Sequence, residues 1–191
     1  MTAIDVALDL PGSEGLIRRL RRREYDQLVE AGAFDGEKVE LIRGVLVRMT
    51  PQGVPHAAVI QRLNAILLRA LGDRAVVRPQ LPLLGPEESE PEPDFAVVAP
   101  GEGERSHPAT ALLVIEVAAS SLVYDRDTKG RLYAEMAVPE YWIVDLAGRC
   151  IEVHRAPSEG RYQRVDVVRP GEAIQLVSFP DVSLVVADVL R

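Results

Sequence analysis

Leu112-Leu113-Val114-Ile115-Glu116-Val117-Ala118 is the stretch from which the fold is read. A run of Leu, Val and Ile this short predicts a strand buried on both faces of a sheet. Its one carboxylate is then out of place. An unpaired buried charge costs roughly several kcal/mol, so Glu116 requires a cation, a partner or a proton. Upstream, Pro91-Glu92-Pro93-Asp94 runs into Phe95-Ala96-Val97-Val98, a second strand that opens on an acid. Two acids on neighbouring strands can hold one divalent metal between them.

Downstream of the central strand, Ala119-Ser120-Ser121 turns the chain out, and Asp125 is placed to cap a helix over 126–137. Lys129, Leu132, Tyr133 and Met136 follow the i, i+3, i+4, i+7 spacing of one helix face. Leu132 and Met136 must pack inward, so Lys129 lies on or beside the buried stripe. It either snorkels to water or reaches back to the carboxylates of the preceding strand. Val138-Pro139-Glu140 closes this helix. Tyr141 to Asp145 predicts another strand, Gly148 a turn and Cys150 to His154 a further strand. Strands over 161–168 and 173–177 and a short apolar tail complete the chain.

Upstream, Lys38 to Ile42, Arg43-Gly44 and Val45 to Met49 read as a β-hairpin with a tight glycine turn. Glu40, on the same face as Ile42, is either solvent-facing or a third acid aimed at a site. A long amphipathic helix over 56–71 has Val59, Ile60, Leu63, Ile66, Leu67 and Ala70 as its stripe, with His56 in its first turn. Taken alone, His56 reads as a capping or packing residue. The segment 75–84 reads as one or two strands broken by Pro79 and Pro82. Arg18 to Arg23 holds five arginines in six positions and leads into a helix ending at Gly32. Such a run can track a phosphate backbone, but a solvated face paired with nearby acids is the stronger reading. Residues 1–15 read as a loosely held arm. The expected organisation is an arm over 1–20 and a single domain over 21–191, mixed α/β with one central sheet flanked by helices.

The 191 residues suit one domain with a substantial core, and 47% apolar with 27% charged residues is an ordinary globular composition. No run approaches the roughly 18 apolar residues of a membrane span, and the start lacks the pattern of a signal peptide. A single cysteine, Cys150, excludes an internal disulfide and a multi-thiolate zinc site, so a cytoplasmic protein is expected. The net charge of −7 argues against whole-surface attraction to nucleic acid while leaving room for a local basic patch.

Glu40, Asp94 and Glu116 are thus acids at strand positions, with Lys129 one helix entry away. Hard oxygen ligands favour Mg²⁺ or Mn²⁺ over zinc. A metal so held activates water and neutralises charge on a phosphodiester, and a neighbouring lysine orients the nucleophile or stabilises the transition state.

Pro93-Asp94, a gap of about twenty residues and Ile115-Glu116-Val117 resemble the core of the PD-(D/E)XK nuclease superfamily. Glu40…His56, Pro93 to Val98, Glu116-Val117, Asp125-Arg126-Asp127-Thr128-Lys129, Tyr133 and Val138-Pro139-Glu140-Tyr141-Trp142-Ile143-Val144-Asp145 more closely resemble the Uma-two family of restriction-endonuclease-like proteins. The similarity runs from about Tyr25 to the C-terminus. It implies a restriction-endonuclease-like fold, often a homodimer, and a Mg²⁺-dependent DNA endonuclease. By position it implies Asp94 and Glu116 as metal ligands, the Val117 carbonyl as a third oxygen and Glu40 as the extra N-terminal acid toward the metal, with Glu40, His56, Asp94, Glu116 and Lys129 as the catalytic set. The superfamily lysine stands two residues after the glutamate, where this chain has Ala118. The resemblance implies that Lys129 replaces it from the next helix.

A nuclease predicts the three acids and Lys129 converging in one pocket. A catalytically silent interaction module predicts the same fold with Lys129 ion-paired to an acid and no metal affinity. A Ser or Cys hydrolase has little support, because Ser120 and Ser121 lack nucleophile-elbow glycines and Cys150 lies in a strand without a reactive setting. His107 and His154 read as surface or loop residues.

Overall fold

The structure is a computed structural model and describes residues 16–49 and 51–191; the arm expected over 1–15 lies outside the described residues. Its elements are α1 (Arg22–Glu30), β1 (Val39–Ile42), β2 (Val45–Arg48), α2 (Val54–Leu71), β3 (Val76–Pro79), β4 (Phe95–Val98) and β5 (Leu113–Ala118). Next come α3 (Leu122–Tyr124), a π-helical turn (Asp125–Lys129), α4 (Gly130–Glu135), β6 (Glu140–Asp145), β7 (Cys150–Ser158), β8 (Arg161–Val168), β9 (Ala173–Gln175), β10 (Ser183–Val185) and α5 (Val186–Val189).

Six strands form the central sheet in the order β3-β4-β5-β6-β7-β8. Only β5 and β6 run parallel; their neighbours pair antiparallel. A parallel pair needs a crossover, and the helical segment from Leu122 to Glu135 supplies it. Every residue of β4, β5 and β6 is buried, as the apolar run around Glu116 predicts.

The two faces of the sheet differ. Phe95, Val97, Leu113, Ile115, Val117, Trp142 and Val144 form an apolar face packed by Val59, Leu63, Leu67 and Leu71 of α2. Strand alternation sends Ala96, Val98, Val114, Ala118, Tyr141 and Ile143 the other way, beneath Tyr133 of α4. Glu116 belongs by register to this second face.

The β1–β2 hairpin forms a separate two-stranded sheet. Arg43 and Gly44 turn it with φ of 50° and 76°, the doubly positive conformation that matches the twist of a tight hairpin. Glu90 N–H donates to the Leu41 carbonyl at 2.7 Å and ties the hairpin to the segment before Asp94.

Several local expectations change. The segment 75–84 provides one strand, because Gln80 breaks it with φ of 52°. The arginine run enters its helix only at Arg22, and that helix ends at Glu30. The strand expected over 173–177 forms as β9 over 173–175, and the apolar tail after it is structured: β10 pairs with β9, and Leu184, Val186, Val189 and Leu190 close the apolar face. His154, expected at the surface, is buried in β7. Asp125 does not cap a helix beginning at 126. The helical path already starts at Leu122 and passes through a π turn in which Gly130 N–H bonds to the Asp125 carbonyl. One residue inserted into a helical turn rotates the downstream side chains by about 100°.

Candidate active site

Glu40, His56, Asp94, Glu116, Val117 and Lys129 all line one pocket of about 450 Å³. Five elements bring them there. β1 turns Glu40 inward, where it is 3% exposed, so it is not the solvent-facing residue that the hairpin alone allows. The first turn of α2 carries His56, the entry to β4 carries Asp94, and β5 carries Glu116 and Val117. The π turn carries Lys129.

Asp94 and Glu116 are held together by the strand pairing itself. Asp94 N–H donates to Glu116 Oε2 at 3.3 Å, and Val117 N–H donates to Asp94 Oδ2 at 2.8 Å. His56 Nε2 lies 3.1 Å from the same Oδ2. His56 thus contacts a site acid directly, while its buried Nδ1 has no hydrogen-bond partner among the described residues.

Lys129 is 4% exposed and does not snorkel. Its Nζ lies 2.9 Å from Glu116 Oε1 and 3.1 Å from Glu40 Oε2. Tyr133 donates its hydroxyl to Glu116 Oε1 at 2.8 Å, and Tyr124 donates to Glu40 Oε1 at 3.4 Å. Glu40 also accepts the Glu92 N–H at 3.0 Å. Gly130, next to Lys129, has no room to spare. A Cβ there would stand 3.3 Å from the Asp125 carbonyl oxygen, so this small residue lets the π turn close.

The electrostatics follow from burial and like charge. Burial pushes Glu116 up to about 8, aided by the charges of Asp94, Asp125 and Glu40 and opposed by Lys129. Burial likewise lifts Asp125 to about 6, with Lys129 and the Ser121 hydroxyl opposing it. Burial alone would pull Lys129 down, but attraction to Glu116 and Glu40, with further acids behind them, holds it well above the usual lysine value. Lys129 therefore stays a cation.

Sequence reading missed Asp125, Tyr124 and Gln80 as neighbours of this cluster. Asp125 precedes Lys129 by four residues, which is a usable signal. Gln80 gives none, because it reaches the Asp94 carboxylate (Nε2 to Oδ1, 3.5 Å) from a left-handed backbone position after a strand.

The architecture has a solved counterpart. The crystal structure of "a putative nuclease belonging to DUF820 from Anabaena variabilis ATCC 29413" superposes with a TM-score of 0.71 at 19% identity, covering 90% of this chain and 97% of that one. The fold is therefore the restriction-endonuclease-like one, a mixed sheet flanked by helices. The Uma2 family model, described as "Putative restriction endonuclease", matches residues 22–187, and the chain belongs to that family. A search of curated proteins gives no match. Among the described residues no helix is long and apolar enough to cross a membrane.

Proposed function

We propose that this protein is a Mg²⁺- or Mn²⁺-dependent endonuclease that hydrolyses phosphodiester bonds in DNA. The observation that carries the reading is the convergence of Glu40, Asp94, Glu116 and Lys129 from four separate elements on the wall of one pocket. The superfamily's strand position for lysine is Ala118 here, and the π turn supplies an ammonium from the next element instead.

The donor set fits a small hard cation. Asp94 and Glu116 come from paired strands, and four acids (Glu40, Asp94, Glu116 and Asp125) surround one lysine. Carboxylate oxygens are the hard ligands that Mg²⁺ and Mn²⁺ take, and these ions keep several waters beside few protein ligands. Among the described residues no group of three or more His, Cys, Asp or Glu side chains is spaced as a metal cage. Asp94 and Glu116, with the Val117 carbonyl, would hold it, and Glu40 would act from beyond Lys129. A bound divalent cation supplies Lewis-acid neutralisation of charge on the phosphate.

The chain's own residues have distinct tasks in this reading. Lys129, held cationic by Glu40 and Glu116, orients the attacking water and stabilises charge on the phosphoryl oxygens. His56 and the Val117 N–H fix the Asp94 carboxylate, and Tyr133 fixes Glu116. The same reading includes a single domain from residue 21 onward and, on family resemblance alone, a homodimer. It places the protein in the cytoplasm, where the unpaired thiol of buried Cys150 stays reduced.

A catalytically silent interaction module is the second reading, and one observation favours it: Lys129 is already ion-paired to two acids. Mn²⁺- and Mg²⁺-dependent nicking of supercoiled plasmid separates the two. The nuclease reading expects cleavage by the natural sequence that Asp94→Ala and Lys129→Ala both lose. Cleavage that survives in Asp94→Ala overturns it, and absence of both cleavage and calorimetric metal binding leaves the silent module.

A further inference from the structure

Beyond the carboxylates the pocket does not end. A second cavity of about 660 Å³ adjoins it and shares Arg48, Met49, Pro51 and Gln52 as lining residues. Its remaining wall includes Lys38 and Gln80. Lys38 and Arg48 flank the open end of the β1–β2 hairpin, whose middle carries Glu40. Gln80 lines the second cavity and contacts an acid of the first, its amide nitrogen 3.5 Å from Asp94 Oδ1. One groove therefore runs from the catalytic acids past two amides and two cations, with Met49 and Pro51 as an apolar surface.

From this continuity we infer that the groove holds one strand of the DNA substrate, with Arg48 and Lys38 as its phosphate contacts; the inference rests on the nuclease reading above. The chemistry matches. Guanidinium and ammonium groups take phosphate oxygens, and amides and apolar side chains take sugars and base edges. The volume is in the range of natural ligand pockets. The partners that Lys38 and Arg48 now have are exchangeable. Arg48 pairs with Glu37 at 3.1 Å with its side chain 77% exposed, and Lys38, half exposed, pairs with Glu92. The exposed Arg48–Glu37 pair holds its members weakly, and Lys38 keeps half its side chain open to solvent beside the more buried Glu92.

The arginine run offers a rival surface and fits less well. Arg18, Arg21, Arg22 and Arg23 line a separate cavity that shares no residue with the catalytic pocket. They face Glu24, Asp26 and Glu87, and Arg22 is committed to the Gly85 carbonyl at 2.6 Å. A strand bound there has no lined path to Asp94 and Glu116.

Fluorescence anisotropy of a labelled single-stranded oligonucleotide, titrated with the full chain in EDTA at several salt concentrations, tests the groove. Each lost phosphate contact lowers the slope of log affinity against log salt by roughly 0.7 for single strands. Arg48→Ala and Lys38→Ala are each expected to lower it by that amount, with Arg48→Lys keeping it and Arg18→Ala leaving it unchanged. Thermal melting confirms that the variants are folded. In the plasmid assay the double variant Lys38→Ala/Arg48→Ala is expected to raise KM about tenfold with kcat held within about twofold. An unchanged slope in Arg48→Ala and Lys38→Ala, a slope that falls in Arg18→Ala instead, or no oligonucleotide binding by the natural sequence each overturns the groove. A protein that nicks plasmid in a manner requiring Asp94 yet keeps slope and KM in the double variant loses the groove and retains the nuclease.

Discussion

Two glutamates, Glu116 on β5 and Glu140 on β6, are buried in neighbouring strands of one sheet, and they are solvated in opposite ways. Glu140 is 1% exposed. Its Oε1 accepts Arg155 Nη2 at 2.6 Å, Arg155 Nε at 3.1 Å and Trp142 Nε1 at 3.0 Å, while Oε2 accepts the Val177 N–H at 2.8 Å. These are donors, with one cation for one carboxylate. Glu116 is 5% exposed and shares Lys129 with Glu40, with Asp94 and Asp125 adding further negative charge. It also lines the pocket of about 450 Å³. A buried acid whose needs are met by its packing holds the fold together. One left with excess like charge beside a cavity is poised for a ligand.

The difference is sharpest in activity. Glu116→Gln is expected to lower nicking about a thousandfold, equivalent to roughly 4 kcal/mol of transition-state stabilisation. Its thermal midpoint should hold or rise, because burial and neighbouring acids already disfavour the charged Glu116 carboxylate and Lys129 keeps Glu40. Plasmid nicking and thermal melting on the same sample check both halves. Glu140→Ala should do the reverse. It strands the Arg155 guanidinium, the Trp142 indole N–H and the Val177 N–H, a loss of about 3 kcal/mol. In a domain of this size that lowers the midpoint by roughly 6–12 °C. Nicking per folded molecule should be unchanged below the transition. If Glu140→Ala loses activity while fully folded, or Glu116→Gln unfolds the protein, the division between the two acids fails.

Glu116 and Asp94 were legible as sequence because each interrupts or opens an apolar strand run, and a carboxylate in such a run needs an explanation. Lys129 was legible through its spacing to Leu132, Tyr133 and Met136. The π turn that carries it was not, since an i→i+5 turn leaves no periodicity signature in five residues. Glu40 stayed ambiguous for a reason of symmetry: in a short hairpin either face can be the buried one until a neighbour covers it. His56 read as packing because nothing in its own helix says that the entry to β4 passes its ring. β10, which pairs with the expected strand at 173–175, escaped for the same reason. It is three residues long and gains its place by covering the apolar face of the sheet.

Glu90 gives a third case and the smallest effect. It is buried beside Asp26, and burial first, then the Asp26 charge, pushes its pKa up to about 7, with Arg22 opposing. It has neither the full donor set of Glu140 nor the pocket and crowded acids that surround Glu116. A carboxyl raised in the folded state binds its proton there when the unfolded chain has already released it. Between the ordinary glutamate value of 4.5 and about 7, folding therefore becomes less favourable as pH rises, and below that window the penalty vanishes. Glu90→Gln removes the ionisation while keeping the shape. The variant should match the natural sequence near pH 4.5 and gain about 1–2 kcal/mol by pH 8, after allowance for residual hydration. Urea denaturation across that range reads the gain directly. A difference that stays constant with pH would mean that Glu90 finds a cation or donors when it ionises, and it would then belong with Glu140 as a structural acid.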